Sequence, residues 1–598
     1  MGKRKRRPSR ATSDRNELHR PEAKPLAVPS VARKSLNQSF KMLLGIICLV
    51  AFFLRLLNVL QTFELPTVVQ LMGDARGYVD WAEQIAAGDW YGTQTFYQAP
   101  LYPYMLAVLI KVFSADTFGL RFFQIILGTV SVGFLGLAGR HAFNRKVGLI
   151  AAAMYALYPP AIYYDGIIQK TALASFLLCM LLAACAYLNR HASKRYATLA
   201  GITLGLLVLT RENALLWIPV IPAWMALRLP TSRSGKLWSV GSYILGLAVV
   251  LVPVAARNAS LGGEWSPTTF QAGPNFYIGN NLQSNGLYLP LVPGHETPKY
   301  ERADAQRLAE RETGRAMTSR EVSRFWFRKS FDEIQQDPTR WIGLLTLKSI
   351  MVVNRFEVPD VESMRVYRDF STTLRIIAPI WHFGILCPLA IWGCIVTRKH
   401  FRRLSLFYLL TLVMTAAIVG FFILGRYRQP LAPLLIIFAA GGLPALVDMV
   451  RKRTWSQFIL PLSAMMLAVP ICNYPVHRES VLNASSYMNA GVAAGMNGDL
   501  RDSIEYLLSS IEAEPGLAEA YANLGRAYEQ TGELEKAIRC YQQALTVDER
   551  LEPVDTWLGS LYESLNARSE AIECYRRALE KNPLDEDAIE GLRRLSGN

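Results

Sequence analysis

The sequence predicts an all-α protein: a polytopic membrane bundle of about eleven spans, followed by an α-solenoid of helical repeats. Three observations carry this expectation. Hydrophobic residues make up 51% of the 598 and charged residues 19%, against roughly 25% charged in ordinary soluble domains. Apolar runs of near-bilayer length recur between 42 and 473. After 478 the pattern changes to soluble helices in which small and aromatic residues return at an offset of 34. Eight scattered cysteines are too few for a disulfide scaffold.

The chain opens on a basic stretch. Residues 1–41 hold twelve Lys/Arg and three Asp/Glu, are rich in Pro, Ser and Arg, and show no apolar period. They read as a disordered cytoplasmic tail. The apolar run 42–60 is longer than a signal-peptide core and has no small-residue cleavage site after it, so it reads as a first span. Further runs lie at 118–139, 147–163, 167–188, 196–210, 214–227, 237–254, 376–397, 404–424, 429–449 and 455–473. With the N-terminus inside, the cytoplasmic loops are 140–146, 190–195, 228–236, 398–403 and 451–453. All are short and basic, as the positive-inside rule requires. The net charge of +16 is therefore read as retention at the membrane rather than nucleic-acid binding. The other side receives both long polar stretches, 61–117 and 255–375, and the C-terminal segment. The membrane domain is thus expected over 42–477.

Segment 478–598 carries twelve Lys/Arg and twenty-two Asp/Glu. Leu524-Gly525-x-x-Tyr528, Ala537, Tyr541 and Ala544 recur as Leu558-Gly559-x-x-Tyr562, Ala571, Tyr575 and Ala578. Gly491, Ala494, Leu507 and Pro515 form a weaker earlier copy. Small residues let paired helices approach, and aromatics fill the gap between pairs. The pattern resembles the tetratricopeptide repeat, about three copies over 485–590. Cys540 and Cys574 occupy equivalent positions and are expected to pack inside helix pairs.

The chemistry is sought in the outer loops. In the first, Tyr78, Trp81, Ala82 and Ile85 give one apolar face at helical spacing, with Asp74 at the start of that surface helix. A carboxylate there is stabilised by the helix N-terminus, and a plain N-cap would account for Asp74 equally well. Phe96-Tyr97-Gln98-Ala99-Pro100-Leu101-Tyr102-Pro103-Tyr104 follows, two prolines among tyrosines, suited to a rigid return to the bilayer surface.

Asp74, a tyrosine four residues on, a surface helix ending in Gly88-Asp89-Trp90 and then Ala99-Pro100-Leu101-Tyr102-Pro103 together resemble the GT-C glycosyltransferases of family 39 type. These include protein O-mannosyltransferases and lipid A aminoarabinose transferases. The resemblance covers about 42–450. It implies transfer of a sugar from a polyprenyl- or dolichyl-phosphate carrier to a protein, lipid or glycan acceptor on the non-cytoplasmic face. It implies Asp74 as catalytic base and Asp165 as a further catalytic acid in the second outer loop. Lys170, Arg211, Arg426 and Arg428 are implied as contacts for the donor phosphate, a role a guanidinium suits. Arg426 and Arg428 stand in the late motif Gly425-Arg426-Tyr427-Arg428-Gln429-Pro430. At least one of Arg211 and Arg426 is expected within about 8 Å of the Asp74 carboxylate, inside a Debye length. Tyr78, Gln98 and Tyr102 are expected to line the substrate. So are Asn275, Tyr277, Asn280 and Asn281 of Ala272-Gly273-Pro274-Asn275-Phe276-Tyr277-Ile278-Gly279-Asn280-Asn281, since amides and aromatics suit sugar recognition, although Asn and Gly at this density also make turns.

Ala75 stands where protein O-mannosyltransferases have Glu, and Gln98-Ala99-Pro100 where aminoarabinose enzymes have Lys-Pro-Pro. The sugar and the acceptor are therefore left open. No Asp-x-Asp pair occurs in the first loop and no histidines have metal-ligand spacing, so no metal site is predicted and a need for a divalent ion is open. The segment 301–335 reads as a soluble helix without a role. The repeats are expected to hold a protein partner. A bacterial inner-membrane location is expected, with the repeats periplasmic. The competing class is a transporter or lipid flippase with a docking domain, which charges inside the spans would favour.

Overall fold

The computed structural model describes residues 30–261, 265–292 and 298–596, and the secondary structure among these is all helix, without a strand. The expected basic tail lies outside the described residues as far as 29. From Ser30 the chain is already helical, so the first helix, Ser30–Gln61, takes in the end of the stretch read as tail.

Each of the eleven apolar runs forms a helix, but not all are full spans. Among the described residues seven helices are long and apolar enough to cross a bilayer, or up to eight if Arg145–Ala156 and Pro159–Gly166, bent by 55°, form one broken span. The bend falls at Pro159-Pro160, which cannot continue the hydrogen-bond ladder. Lys194–Val208, Trp217–Arg228 and Phe383–Val396 have 15, 12 and 14 residues. At about 1.5 Å per residue they reach roughly 18–23 Å, short of a core of about 30 Å. Pro222 and Pro388 lie inside two of them, each removing a backbone donor from a helix that continues past it. Of the eleven expected spans, seven or eight are thus long and apolar enough to cross a bilayer unaided, and the others are shorter apolar helices packed among them.

Thr171–His191 is the central helix: 83% of its apolar window is buried, against 22% for the first span and 17% for Trp455–Asn473. Those outer helices turn Leu43, Ile46, Leu49, Phe53, Met466 and Leu467 outward, as lipid contact requires. Lipid gives no hydrophobic drive for helix association, so close backbone approach must supply it. Lys194–Val208 and Arg233–Ser260 show how: a Cβ on Gly201 would lie 2.1 Å from the Tyr243 carbonyl, and one on Gly246 2.3 Å from that of Thr198.

The long loop between Arg233–Ser260 and Phe383–Val396 folds into helices above the bundle. Ala272–Asn280 packs on Ser319–Gln336, which begins with a capping box between Thr318 and Glu321. Trp326 packs among Ala305, Ala309 and Val322, and donates to the Ala305 carbonyl at 3.0 Å. Pro338–Val353 then leads into an irregular strap, 354–363, that crosses the ends of the spans that carry Gly425–Arg428.

The C-terminal helices pair as Glu479–Met496 with Leu500–Ala513, Ala518–Gln530 with Leu534–Val547, and Val554–Ser564 with Arg568–Lys581; Glu586–Ser596 closes the array. Gly525 faces Tyr541 and Gly559 faces Tyr575, so the small residue of one helix seats the aromatic of the next. Each tyrosine hydroxyl donates to a glutamate, Tyr541 to Glu529 at 2.7 Å and Tyr575 to Glu563 at 2.8 Å. Cys574 is buried, Cys540 half-buried, and all eight cysteines are free thiols.

Candidate active site

Asp74 is the second residue of the helix Gly73–Ala87. Met72 is the N-cap, and no side chain caps this end, so the plain N-cap account of Asp74 does not hold. Its carboxylate instead accepts from Arg426 Nη1, and from Gln98 Nε2 at 3.4 Å. Arg426 Nη1 also meets Asp360 at 2.7 Å. One guanidinium thus holds two carboxylates from segments that lie far apart in the chain. Gly73 makes the approach possible. It adopts φ +52, and a Cβ there would sit 2.5 Å from Val361 Cγ2.

Around this pair stand two more cations. Arg211, 3% exposed, donates Nη2 to Thr171 Oγ1 at 2.6 Å, and its Nε and Nη1 are buried without a partner. Its guanidinium lies 5.1 Å from the centre of the Tyr427 ring, and that of Arg426 lies 5.3 Å from the same ring. Tyr427 therefore separates two like charges with a π face that attracts both. Lys170, at the turn into the central helix, is 8% exposed, and its ammonium makes no hydrogen bond or ion pair among the described residues. Glu301 adds a third carboxyl from the loop helix Pro298–Thr313, hydrogen-bonded by the Tyr288 hydroxyl.

The charges act on one another. Burial tends to raise Asp74, but Arg426 and then Lys170, with hydrogen bonds from Arg426 and Gln98, outweigh it and hold the carboxyl below its usual range. Burial raises Asp360, with Arg426 opposing. Burial also lowers Lys170, and Arg211 adds to that, against Glu212 and Asp74. Glu301 is pushed up to about 7 by burial, with the Tyr288 bond opposing and Asp74 adding. The two carboxyls on Arg426 are thus driven apart, one firmly ionised and the other more readily protonated. A small cavity bounded by Asp74, Asp360, Glu362, Gln169 and Arg426 opens beside them.

Residues 97–257 match the family described as dolichyl-phosphate-mannose-protein mannosyltransferase. The chain carries a membrane glycosyltransferase domain. Residues 518–551 and 558–588 match tetratricopeptide repeat families. No curated protein matches the chain in sequence. Among solved structures it is similar to the oligosaccharyltransferase AglB of Archaeoglobus fulgidus in complex with an inhibitory peptide and a dolichol-phosphate. The identity is 15% and the TM-score 0.42, over 79% of this chain and 59% of that one. The apo form of the Archaeoglobus fulgidus oligosaccharyltransferase is 17% identical, TM-score 0.37, over 75% of this chain and 56% of that one. The chain spans under two thirds of the length of these proteins. Gln98, Tyr102, Asp165, Lys170 and Arg211 lie within the family-matched stretch of the glycosyltransferase domain; Asp74, Asp360 and Arg426 lie outside it.

Other expected site residues are engaged elsewhere. Asp165 is 2% exposed and paired at 2.7 Å with Arg55 of the first span, also fully buried. Its carboxylate is held in the interior by Arg55 and makes no hydrogen bond or ion pair with Asp74 or Arg426 among the described residues. Arg428 pairs with Glu357 at 2.6 Å and donates to the carbonyls of Asn354 and Phe356 at 2.5 and 2.7 Å. It braces the strap and has no hand free for a phosphate. Tyr102, 0% exposed, donates to Gln124 Oε1 at 2.6 Å and packs edge-on against Tyr78, whose own hydroxyl is buried without a partner. Tyr78 is close enough to Asp74 and Arg426 to feel their charges, and Tyr102 packs behind it.

The Asn-rich segment is structural. Tyr277 donates to Glu333 at 2.9 Å, and Asn280 donates to the Gly420 carbonyl at 2.8 Å and accepts from Trp341 at 3.0 Å. Asn281 closes a turn on Tyr277. None of these, nor Asn275, is hydrogen-bonded or ion-paired to Asp74, Arg211 or Arg426 among the described residues. Turn-making, the other account of that segment, is what its contacts serve. Asp360, Glu301 and Tyr427 were not singled out from the sequence. The carboxylates Glu357, Asp360 and Glu362 around Pro359, in a short segment between helices, were the available signal for the first.

Proposed function

We propose that the chain transfers a sugar from a polyprenyl-phosphate-linked donor to an acceptor hydroxyl on the non-cytoplasmic face. One observation carries the reading: the Asp74 carboxylate stands among three cations, two of which, Arg211 and Arg426, have buried N–H groups without a protein partner. Such donors are costly to bury empty and suit an anionic ligand. In this reading the donor phosphate takes Arg211 and Lys170 and competes with Asp74 for Arg426. Asp74, so released, removes the acceptor hydroxyl proton. The acceptor oxygen bonds to the anomeric carbon as the carbon–phosphate oxygen bond breaks, and the cations stabilise the departing polyprenyl phosphate. The isoprenoid tail stays in the bilayer beside the spans. The repeats hold a protein, either acceptor or assembly partner, outside the membrane.

The test is transfer from a polyprenyl-phosphate sugar in membranes containing the wild-type chain or Asp74→Asn. Equal transfer by the two ends the mechanism. The sidedness is tested separately by a reporter fused after 480, expected to behave as exported; cytoplasmic reporter activity would move the site to the other face.

A further inference from the structure

The strap 354–363 carries Asp360 into the site, and both of its ends are fastened to the start of the repeat domain. At one end Asn354 donates to the Tyr474 carbonyl at 2.6 Å and Arg355 pairs with Glu479 at 3.1 Å. At the other, Asn489 Nδ2 donates to the Val361 carbonyl at 2.9 Å, and Ser363 is hydrogen-bonded to the buried Asn483. Between these anchors the strap crosses the late arginine motif. The Gly425 N–H donates to the Val358 carbonyl at 2.9 Å, and Glu357 and Asp360 hold Arg428 and Arg426. Val361 is the pivot. It follows Asp360 directly, its side chain covers Gly73 beside Asp74, and its carbonyl is held by a repeat residue.

We propose that the first repeat helix, Glu479–Met496, is a positioning element of the transferase site, with Asn489 its positioning residue. The proposal rests on the transferase reading above. Asn489 fixes Val361 over Gly73, and Val361 in turn sets where Asp360 and Asp74 meet Arg426. Packed contacts are steep, so a few tenths of an ångström at Val361 reach both carboxylates. The repeats are then part of the enzyme rather than an appended module.

The test uses the full-length chain in membranes. Asn489→Asp keeps the shape but removes the N–H donor facing the Val361 carbonyl; Asn489→Gln keeps a donor. Asn523→Asp, in the second repeat, is the control. Hydrogen exchange over 356–363 is measured beside the kcat and donor KM of transfer. Asn489→Asp is expected to speed exchange there and to lower kcat about tenfold, the scale of one lost hydrogen bond, with KM unchanged. Asn489→Gln and Asn523→Asp are expected to stay near wild type. In an Asp360→Asn background the further loss from Asn489→Asp should shrink below about twofold, since coupled residues are not additive. Unchanged exchange in Asn489→Asp overturns the proposal. So does a tenfold loss that persists without the Asp360 carboxylate, because that is general destabilisation. A wild-type chain without transfer overturns the transferase reading and the proposal with it, a failure told apart by exchange that still responds to Asn489→Asp.

Discussion

Asp74 with Arg426 and Asp165 with Arg55 are the same chemical pair set in two places. The first lies at the ends of the spans, shares its arginine with Asp360, and has unused donors on Arg426 itself and on Arg211 nearby. The second lies between the first span and the broken helix, with side-chain exposures of 0% and 3%. Arg55 adds bonds to the carbonyls of Ala51 and Ala156, and a Cβ on Gly128 would lie 2.0 Å from the Asp165 carboxylate. There is no room there for a substrate atom. A buried ion pair costs desolvation that its own attraction barely offsets, so the interior pair is read as a clamp between helices. Arg55 Nη2 is itself buried without a partner, so an unused donor alone does not mark a site. The difference is that a cavity opens beside Asp74 and Arg426, while Gly128 and the first span close in on Asp165.

The largest effects should separate the two pairs. Asp74→Asn is expected to accumulate normally while transfer falls roughly 10²-fold or more, the scale of a lost general base. Asp165→Asn leaves the Arg55 charge unpaired in the membrane and should cost about 3–5 kcal/mol of stability. Its transfer per folded molecule should stay near wild type. Asp165→Leu with Arg55→Met, which removes both charges, should recover much of that stability. Thermal melting in detergent beside normalised transfer checks this. A normally stable but inactive Asp165→Asn would place that residue in the catalytic set.

A smaller contrast is expected two residues apart in one motif. Arg426→Lys keeps a charge but cannot hold two carboxylates with a planar fork, so transfer should drop roughly 10–100-fold, as for a lost charged hydrogen bond. Arg428→Lys should act on folding, because Arg428 meets Glu357 and strap carbonyls rather than the cavity. Similar loss of transfer in both, at equal stability, would erase the distinction.

Much of the fold was legible in the sequence. Apolar runs and a 34-residue repeat are local signals, and both describe helices that the chain forms. The length of each span was less legible: the run 376–397, for instance, breaks near 378–382 and leaves only Phe383–Val396 as a helix, where hydropathy leaves the run whole. Asp74 and Arg426 could be placed on one side of the membrane from topology, and they meet across 352 residues. The same logic did not foresee the pairing of Asp165 and Arg428. Both stand at outer span ends in sequence, yet their partners, Arg55 and Glu357, come from segments 110 and 71 residues away and draw them inward. Pairing at that range has no local signature. Asp360 was passed over for the converse reason: its segment shows a cluster of acids, but nothing in it says that the strap will be tied over Arg426.

The next effect is steric. Gly73 at φ +52 lies under Val361, so Gly73→Ala should cost about 1–3 kcal/mol, the usual penalty for a side chain held in that region, and should lower transfer by lifting Val361. Gly77, in the same helix, has nothing near its Cβ position, and Gly77→Ala should be close to neutral in both melting and transfer. Equal behaviour of the two would remove the strap from the site.

The smallest expected effect concerns pH and sets Glu301 against Asp74. Glu301 titrates in the folded chain at about 7, above the ordinary 4.5, because burial disfavours its charge. The folded state therefore keeps this proton where the unfolded chain has released it. By linkage, the stabilisation from Glu301 is complete below about pH 4.5 and is lost as pH rises through about 7. Glu301→Gln is neutral at every pH and should flatten that part of the curve. The variant should match wild type near pH 5 and melt higher at pH 8, by a Tm difference on the order of 2 °C. Asp74 runs the other way: its carboxyl is held below the usual range, so its contribution is present at neutral pH and is lost only on acidification through that lowered value. Asp74→Asn should then change the acid limb alone. Melting scans of the two variants from pH 4 to 8 distinguish the limbs; a Glu301→Gln curve parallel to wild type throughout would mean that this carboxyl is already ionised when the chain folds.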